Sequence, residues 1–240
     1  MKIVLIGYGK MGKEIEKIAL SQGHSVVLKI DEDTINEFTV ENLKKADVAI
    51  EFTSPESAVS NIFKCFEASV PVVCGSTGWL KRFDEVKQVC LEKKQAFFYA
   101  SNYSIGVNLF FRLNEHLAKL MKPYSTYTPS MEEIHHIHKK DAPSGTGITL
   151  AEGLIKNHGK EKKWALKENA QPGDLPILAK REGEVPGTHI VRYTSACDEI
   201  TIMHEAYSRK GFAEGAVVAA SWLVGKKGVF DMNDLLGSEK

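Results

Sequence analysis

The 240-residue sequence has no excess of charge, few cysteines and no long apolar run. Its 31 Lys and Arg residues balance 31 Asp and Glu residues, so no global field attracts nucleic acid. No apolar stretch approaches the roughly 20 residues that span a bilayer, so we expect a soluble chain without a membrane partner. The four cysteines form no C-x-x-C pair, and the first residues have a strand pattern in place of a signal peptide. These absences favour a cytoplasmic protein with free thiols.

Short apolar runs alternate with segments of helical spacing up to about Ala100. This pattern is typical of a parallel sheet with helices on both faces. The predicted strands are Lys2 to Ile6, Ser25 to Ile30, Asp47 to Phe52, Val70 to Cys74 and Ala96 to Ala100. The fold class is therefore predicted to be α/β, with a Rossmann-like doubly wound sheet.

The pattern changes after Ala100, where one helical segment over residues 107–121 leads into further strands. These strand-like pieces are expected at residues 130–138, 189–195 and 199–205. Residues 159–187 are rich in Pro, Gly and charge, and we expect them to form a long excursion from the fold.

A helical pattern returns from Phe212 onward and is expected to cover the first sheet again. We therefore predict a dinucleotide-binding domain over residues 1–104 that is completed by residues 209–240. A smaller α+β domain with a mixed or open sheet is predicted over residues 105–208, for substrate binding and tetramerisation.

A glycine-rich loop, Gly7-Tyr8-Gly9-Lys10-Met11-Gly12, fits G-x-G-x-x-G between a predicted strand and a predicted helix. Glycines at these positions allow a tight turn, close approach of a pyrophosphate and packing of helix against strand. Asp31 ends the second predicted strand, where a carboxylate accepts the ribose hydroxyls of an adenosine. Glu32 and Asp33 follow, where an Arg would hold a ribose 2′-phosphate. NADH is therefore expected in preference to NADPH, although Lys10 and Lys13 could reach a phosphate.

Two further loops follow predicted strands at the same edge of the sheet. They are Gly75-Ser76-Thr77-Gly78 and Ala100-Ser101-Asn102-Tyr103. Ligands of open α/β sheets bind at this carboxyl edge, so these residues are candidates to flank the nicotinamide half of the cofactor. Ordinary turn chemistry explains the same residues equally well.

A cationic run precedes a predicted helix start in the second domain. Its members are His135, His136, His138, Lys139 and Lys140, followed by Pro143-Ser144-Gly145-Thr146-Gly147. Ser144 or Thr146 can cap the helix, and the unpaired N–H groups at such a start bind carboxylate or phosphate. The run therefore predicts a binding site for an anion.

Three other interpretations of these motifs compete with a reductase-type anion site. The histidines could suggest zinc, but the sequence pattern offers no Cys pair, H-E-x-x-H or partnering carboxylate, so we expect no metal. Cys74 could be the nucleophile of a thioester-forming semialdehyde dehydrogenase, although a buried strand-end residue is the simpler interpretation. A non-enzymatic dinucleotide sensor would explain the glycine loop but not the cationic run.

Taken together, the glycine loop, GSTG, SNYSIGVN, EIHHIHKKDAPSGT and HEAYSRKGFAEGAV resemble the 4-hydroxy-tetrahydrodipicolinate reductase family, the dihydrodipicolinate reductases, from end to end. The most specific part is the stretch 135–146. The resemblance implies reduction of a cyclic unsaturated dicarboxylate by NADH or NADPH to tetrahydrodipicolinate, in the diaminopimelate route of lysine biosynthesis. It also implies a homotetramer built through the second domain's sheet. The glycine loop departs from the family pattern, because one residue separates its first two glycines where the family has two, and Lys10 replaces an Arg.

The resemblance also implies roles for single residues. His135 matches the family's active-site histidine and Lys139 its proton donor, while His136, Gly145 and Thr146 match its contacts to substrate carboxylates. A proton donor is needed because hydride addition leaves a carbanion or enamine equivalent. In an extended strand the Cα atoms of His135 and Lys139 would lie roughly 13 Å apart. Their cooperation therefore requires a bend that the sequence does not show.

Overall fold

The computed structural model describes residues 1–208 and 210–237. The strands in chain order are β1 (Lys2–Ile6), β2 (Ser25–Ile30), β3 (Val48–Glu51), β4 (Val72–Cys74), β5 (Ala96–Tyr99), β6 (Thr128–His135), β7 (Trp164–Leu166), β8 (Leu175–Arg181), β9 (Gly187–Thr194), β10 (Glu199–Ala206) and β11 (Gly228–Phe230). The helices are α1 (Lys10–Ser21), α2 (Val40–Leu43), α3 (Pro55–Glu67), α4 (Phe83–Glu92), α5 (Ile105–Met121), α6 (Gly145–His158), α7 (Lys210–Leu223) and α8 (Met232–Leu235). None of the helices in the described ranges has the length and apolar character that a membrane crossing requires.

The chain divides into two compact units. The described residues of Met1–Ile105 and Lys210–Lys240 form the first unit, and those of Gly106–Arg209 form the second. Each unit contains one sheet.

The first unit is a doubly wound parallel sheet with strand order β11-β5-β4-β3-β1-β2. Strands β3 and β4 are buried at every position, which explains their almost uninterrupted apolar sequence. One face packs against α3 and α4 through residues such as Ile62 and Val86, and the other packs against α1 and α7 through Ile15 and Ala216. The predicted α/β fold class is confirmed by this sheet.

The second unit is a five-stranded mixed sheet with order β10-β9-β6-β8-β7. Its central strand β6 runs antiparallel to β9 and parallel to β8. Helices α5 and α6 contribute Phe110, Leu150 and Leu154 to its core, where they meet Val191 and Tyr193 of β9. The predicted α+β architecture with a mixed sheet is therefore confirmed.

The expected excursion over residues 159–187 is wrong. This stretch contains β7 and β8, which pair with each other, and β8 also pairs with β6. Its glycines mark the strand ends, as Gly173 does with a φ of +93°. Its charges are used on the sheet, where Lys180 lies 2.6 Å from Glu132. The stretch has the Pro, Gly and charge content of a loop because its two strands are short, lie beside tight turns and carry charged side chains.

Candidate active site

The glycine loop of the first unit leaves one place where a ligand can approach the backbone. A Cβ at Gly7, whose φ is +93°, would collide with the carbonyl oxygen of Phe52, and a Cβ at Gly12 would collide with that of Gly7. At Gly9 a Cβ would meet nothing within 4 Å, and α1 starts directly after it without a side-chain cap. Unpaired N–H groups beside open space suit a pyrophosphate. The loop therefore fits a dinucleotide.

Asp31 is fixed by its own turn. Its Oδ1 accepts hydrogen bonds from the N–H of Asp33 at 3.1 Å and from the N–H and hydroxyl of Thr34 at 3.1 Å and 3.0 Å. These bonds orient the carboxylate and leave Oδ2 for a ligand. A cleft of about 400 Å³ lies beside Asp31, Tyr8 and the edge strand β2. Its size suits the adenosine half of a dinucleotide.

The other loop residues differ in what they offer. The Tyr8 hydroxyl is hydrogen-bonded to Glu16, and the Lys29 ammonium lies 4.8 Å from the centre of the Tyr8 ring. Met11 packs partly buried against the core, whereas Lys10 is exposed at the first position of α1. The sheet edge therefore holds Tyr8 in place, and Lys10 remains free to contact a phosphate.

The two loops after β4 and β5 present some predicted residues to solvent and bury others. Ser76 and Tyr103 are buried, and their hydroxyls donate to Glu51 at 3.1 Å and to the Cys74 carbonyl at 2.7 Å. Ala100 is also buried, and Asn102 accepts a hydrogen bond from the Ser104 N–H at 2.9 Å. The exposed residues are Thr77, Gly78 and Ser101. The buried side chains shape these loops, while the exposed residues and the backbone face outward.

In the second unit the chain bends immediately after His135, which ends β6. The His135 carbonyl accepts from the Glu182 N–H at 2.8 Å, and the His136 carbonyl accepts from the Lys139 N–H at 3.1 Å, which closes a turn. The predicted strand to residue 138 was therefore too long. The turn supplies the bend that cooperation between His135 and Lys139 requires.

Glu133, a buried carboxylate, lies next to the cationic run and was missed by the sequence analysis. Its side chain is 1% exposed, and both oxygens accept from the Ser144 N–H at 3.0 Å. The Ser144 hydroxyl donates to it at 2.6 Å. Arg181 approaches within 3.4 Å, and His135 and His189 approach within 3.6 Å and 3.8 Å. Glu133 therefore connects β6 with β8, β9 and the start of α6.

Arg181 holds the loop that carries Lys139. Its guanidinium donates to the carbonyls of Lys139 at 3.1 Å, Asp141 at 2.5 Å and Lys180 at 2.7 Å. The Lys139 ammonium in turn lies 2.8 Å from an Asp141 carboxylate oxygen, and this hydrogen bond lowers the pKa of Asp141. The position of the Lys139 ammonium is therefore fixed by its own loop.

Two buried histidines adjoin this ammonium. Burial lowers the pKa of His189 to about 3, and the positive charge of Lys139 acts in the same direction. Burial also lowers the pKa of His135, against the opposing effect of the Glu133 charge. Both rings are therefore neutral at neutral pH.

The start of α6 is open to an anion. The Ser144 hydroxyl caps the helix by accepting from the Gly147 N–H at 3.0 Å, which leaves the N–H groups of Gly145 and Thr146 at the exposed first turn. A Cβ at Gly145 would meet nothing within 4 Å, whereas one at Gly147 would lie 2.5 Å from a Glu133 oxygen. The ring atom Nδ1 of His136 is buried without a hydrogen-bond partner in the described chain. A carboxylate at this place would accept hydrogen bonds from the N–H groups of Gly145 and Thr146.

Three residues of this network also form a group whose potential ligand atoms lie within 4.8 Å of one another, namely Glu133, His135 and His189. The fold thus supplies the partnering carboxylate that the sequence pattern lacked. The Glu133 oxygens already accept from Ser144, however, and the Arg181 guanidinium beside them would repel a second cation. The donor set therefore fits a hydrogen-bonded network better than a metal centre.

Two family models match almost the whole chain. The model of the dihydrodipicolinate reductase N-terminus matches residues 1–103, and that of the dihydrodipicolinate reductase C-terminus matches residues 106–236. The chain belongs to the dihydrodipicolinate reductase family. The family resemblance and the enzyme class, an oxidoreductase, are thereby confirmed.

Single members of the dihydrodipicolinate reductase family are similar to this chain over most of its length. A 4-hydroxy-tetrahydrodipicolinate reductase of Christiangramia forsetii is 48% identical over 98% of both chains. One of Methanoregula boonei is 36% identical over 82% of this chain and 77% of its own. The dipicolinate-bound dihydrodipicolinate reductase from Paenisporosarcina sp. TG-14 superposes with a TM-score of 0.78 over 98% of both chains at 20% identity, which shows the shared fold.

Membership of a dihydrodipicolinate reductase family removes two competing interpretations. The chain is an oxidoreductase, so the non-enzymatic dinucleotide sensor is wrong. The thioester interpretation required a reactive Cys74, but this thiol is fully buried. Burial and then the negative charge of Glu51 raise the pKa of Cys74 well above its ordinary value, which disfavours the nucleophilic thiolate.

Proposed function

We propose that this chain reduces 4-hydroxy-tetrahydrodipicolinate to tetrahydrodipicolinate with NADH or NADPH, in the diaminopimelate route of lysine biosynthesis. One observation carries the proposal: Arg181 holds the carbonyl of Lys139 and contacts Glu133, which also accepts from Ser144 at the start of α6, where Gly145 is open to an anion. A dicarboxylate needs anion-binding groups, and reduction by hydride needs a proton donor. The names of the relatives support the same reaction.

The first unit, over residues 1–104 and 209–240, is proposed to hold the cofactor, which supplies the hydride. Its pyrophosphate would bind the Gly7–Gly12 loop, including Tyr8, Gly9, Lys10 and Met11, and its adenosine ribose would bind Asp31. The nicotinamide half would be flanked by Gly75, Ser76, Thr77, Ala100, Ser101, Asn102 and Tyr103. The burial of Ser76 and Tyr103 supports contacts through the backbone at those two positions.

The second unit, over residues 105–208, is proposed to hold the dicarboxylate. The backbone N–H groups of Gly145 and Thr146 and the free Nδ1 of His136 would bind carboxylate oxygens. Lys139 would donate the proton that follows hydride addition, and His135, whose pKa is lowered by burial, would stand beside it as a neutral ring. The chain's own groups thus bind one carboxylate and supply one proton.

NADH is proposed to serve at least as well as NADPH. The preset carboxylate of Asp31 suits free ribose hydroxyls, and Glu32 and Asp33 add two further negative charges beside it. A 2′-phosphate would be repelled by all three. Lys29 already pairs with Glu16 at 3.3 Å, which reduces its availability to offset that repulsion.

We also propose a homotetramer assembled through the sheet of the second unit. The edge strand β10 exposes Met203 at 58% and Ile200 at 38%. An edge strand with exposed apolar side chains is a ready surface for pairing with another chain. The free cysteines support a cytoplasmic location.

The test is a spectrophotometric assay of NADH and NADPH oxidation with freshly generated substrate. We expect both cofactors to be oxidised only when the substrate is present, with kcat/KM for NADH at least equal to that for NADPH. A folded protein that binds dinucleotide yet oxidises neither cofactor would contradict the proposed reaction. A strong preference for NADPH would contradict the cofactor assignment alone.

A further inference from the structure

A second buried carboxylate lies in the first unit, at the end of β3. Glu51 is 0% exposed and stands in register with Ile6 of β1 and Cys74 of β4. Gly7 and Gly75 directly follow these two partners. Glu51 therefore lies beneath the two loops that the cofactor proposal uses, at the point where the strand order reverses.

The hydrogen bonds around Glu51 describe an ionised carboxylate. Its Oε1 accepts from the hydroxyl and N–H of Thr53, from the Ser76 hydroxyl at 3.1 Å and from the Asn61 amide at 3.5 Å, while Oε2 accepts from the Cys74 thiol at 3.0 Å. The Ser76 oxygen accepts from the Thr53 N–H at 2.7 Å, and the Thr53 oxygen accepts from Asn61 at 3.2 Å. Both hydroxyls therefore have their own protons free for Glu51. A carboxylate that only accepts is the charged form.

Among the residues that the structure describes, no cation forms an ion pair with this carboxylate. The ion pairs formed by the described residues include Arg181 with the buried Glu133, but none includes Glu51. A buried charge held by hydrogen bonds alone keeps most of its field, because little water surrounds it. Glu51 is therefore a fixed negative charge under the carboxyl edge of the sheet.

We propose that Glu51 stabilises the oxidised nicotinamide ring relative to the reduced ring. The inference rests on the proposed function. The adenosine is proposed to bind at Asp31, after β2, and the strands then follow in the order β2-β1-β3-β4. A dinucleotide that crosses the sheet edge from β2 therefore places its nicotinamide half beside β3 and β4.

The redox change explains why such a charge favours the reaction. Hydride transfer moves two electrons and one proton to a substrate carbon, which gains a C–H bond, and the ring that loses them acquires one positive charge. Lys139 then protonates the electron pair left on the substrate. A negative charge fixed near the ring favours the side of the reaction on which the ring is positive. It acts through space, because Glu51 is covered and reaches no ligand directly.

The experiment compares the Kd values of NAD⁺ and NADH in wild type and in Glu51→Gln, by calorimetric titration. The amide retains the shape and loses the charge. We expect the ratio of Kd for NAD⁺ to Kd for NADH to rise about tenfold, because the positive ring of NAD⁺ loses its attraction to the charge of Glu51 whereas the neutral ring of NADH does not. Cys74→Ser is the matched control, because it keeps a donor to Glu51 and the charge, so its ratio should stay at the wild-type value.

A double variant covers the case in which Glu51→Gln does not fold. Glu51→Gln with Cys74→Ser gives the new amide group a hydroxyl partner, and its ratio is compared with that of Cys74→Ser alone. An unchanged ratio in either folded Gln variant that still binds NADH would overturn the role of Glu51. A wild-type protein that binds neither dinucleotide would overturn the proposed function itself.

Discussion

The two regions that are proposed to bind ligands are built by different means. In the first unit the proposed site is mostly backbone, with Gly7 and Gly12 admitting no side chain and one carboxylate, Asp31, held by the adjoining turn. In the second unit the site is a network of side chains from β6, β8 and β9 around Glu133. A backbone site tolerates changes to most nearby side chains. A side-chain network depends on each of its members, so single substitutions should separate the two regions sharply.

The largest effect is expected for Lys139→Ala in the second unit. General acid catalysis typically contributes about 10²- to 10⁴-fold, so kcat should fall by a factor in that range while the Kd of NADH is unchanged. Steady-state kinetics with saturating NADH measure this. Lys140→Ala is the matched control, because the neighbouring ammonium is exposed and outside the network.

The same assay distinguishes the histidines from Lys139. His136→Ala should chiefly raise KM for the dicarboxylate, because this residue is assigned to binding. Small and equal effects at His135, His136 and Lys139 would contradict the division of roles, and the side-chain network would then serve stability only.

A smaller but more selective effect is expected for Gly145→Val. A Cβ at this position meets no protein atom within 4 Å, and the valine side chain would occupy the open space at the start of α6. Affinity for pyridine-2,6-dicarboxylate, a planar mimic of the substrate, should fall at least about tenfold, as for loss of hydrogen bonds to a charged group. Fluorescence titration should give an unchanged Kd for NADH.

Gly147→Val is the structural counterpart of that change. Its Cβ would lie 2.5 Å from Glu133, so this variant should lose thermal stability instead of failing only to bind. If Gly145→Val folds normally and binds the dicarboxylate like the parent, the carboxylate is held elsewhere.

The smallest effect concerns stability and pH. The folded pKa of His189 is about 3, below its ordinary value of about 6.5, so between these pH values the unfolded chain binds a proton that the folded chain does not. The contribution of His189 is therefore complete above about pH 6.5 and falls by up to about 1.4 kcal/mol per pH unit below it. Urea unfolding of wild type and His189→Gln from about pH 7 to about pH 5 measures this. The difference in free energy of unfolding should shrink on acidification, and a constant difference would place His189 outside the network.

The first unit could be predicted from the sequence because its information is local. Strands such as β3 are buried at every residue and appear as apolar runs, and the glycine loop occupies six consecutive positions. The orientation of the Asp31 carboxylate and the inward direction of Ser76 could not be predicted, since both depend on hydrogen bonds that form only in the folded loops.

The second unit's network could not be assembled from the sequence because its members are distant along the chain. Arg181 follows Glu133 by 48 residues and reaches it only because β8 pairs with β6. The single local signal for Glu133 was its spacing of two from His135, which puts both on one face of a strand. His135, Lys139 and Gly145 were identified by the cationic run and the predicted helix start that follows it, and their individual roles, which come from the family resemblance, remain predictions.

The discontinuous first unit has a consequence for synthesis on the ribosome. Its core requires α7, whose Ala216, Val217, Ala220 and Leu223 are fully buried against the sheet, and its edge requires β11 beside β5. Both elements are translated after every residue of the contiguous second unit. The region encoded in the middle of the gene can therefore complete its fold first, while the part of the nascent amino-terminal sheet that α7 covers stays exposed.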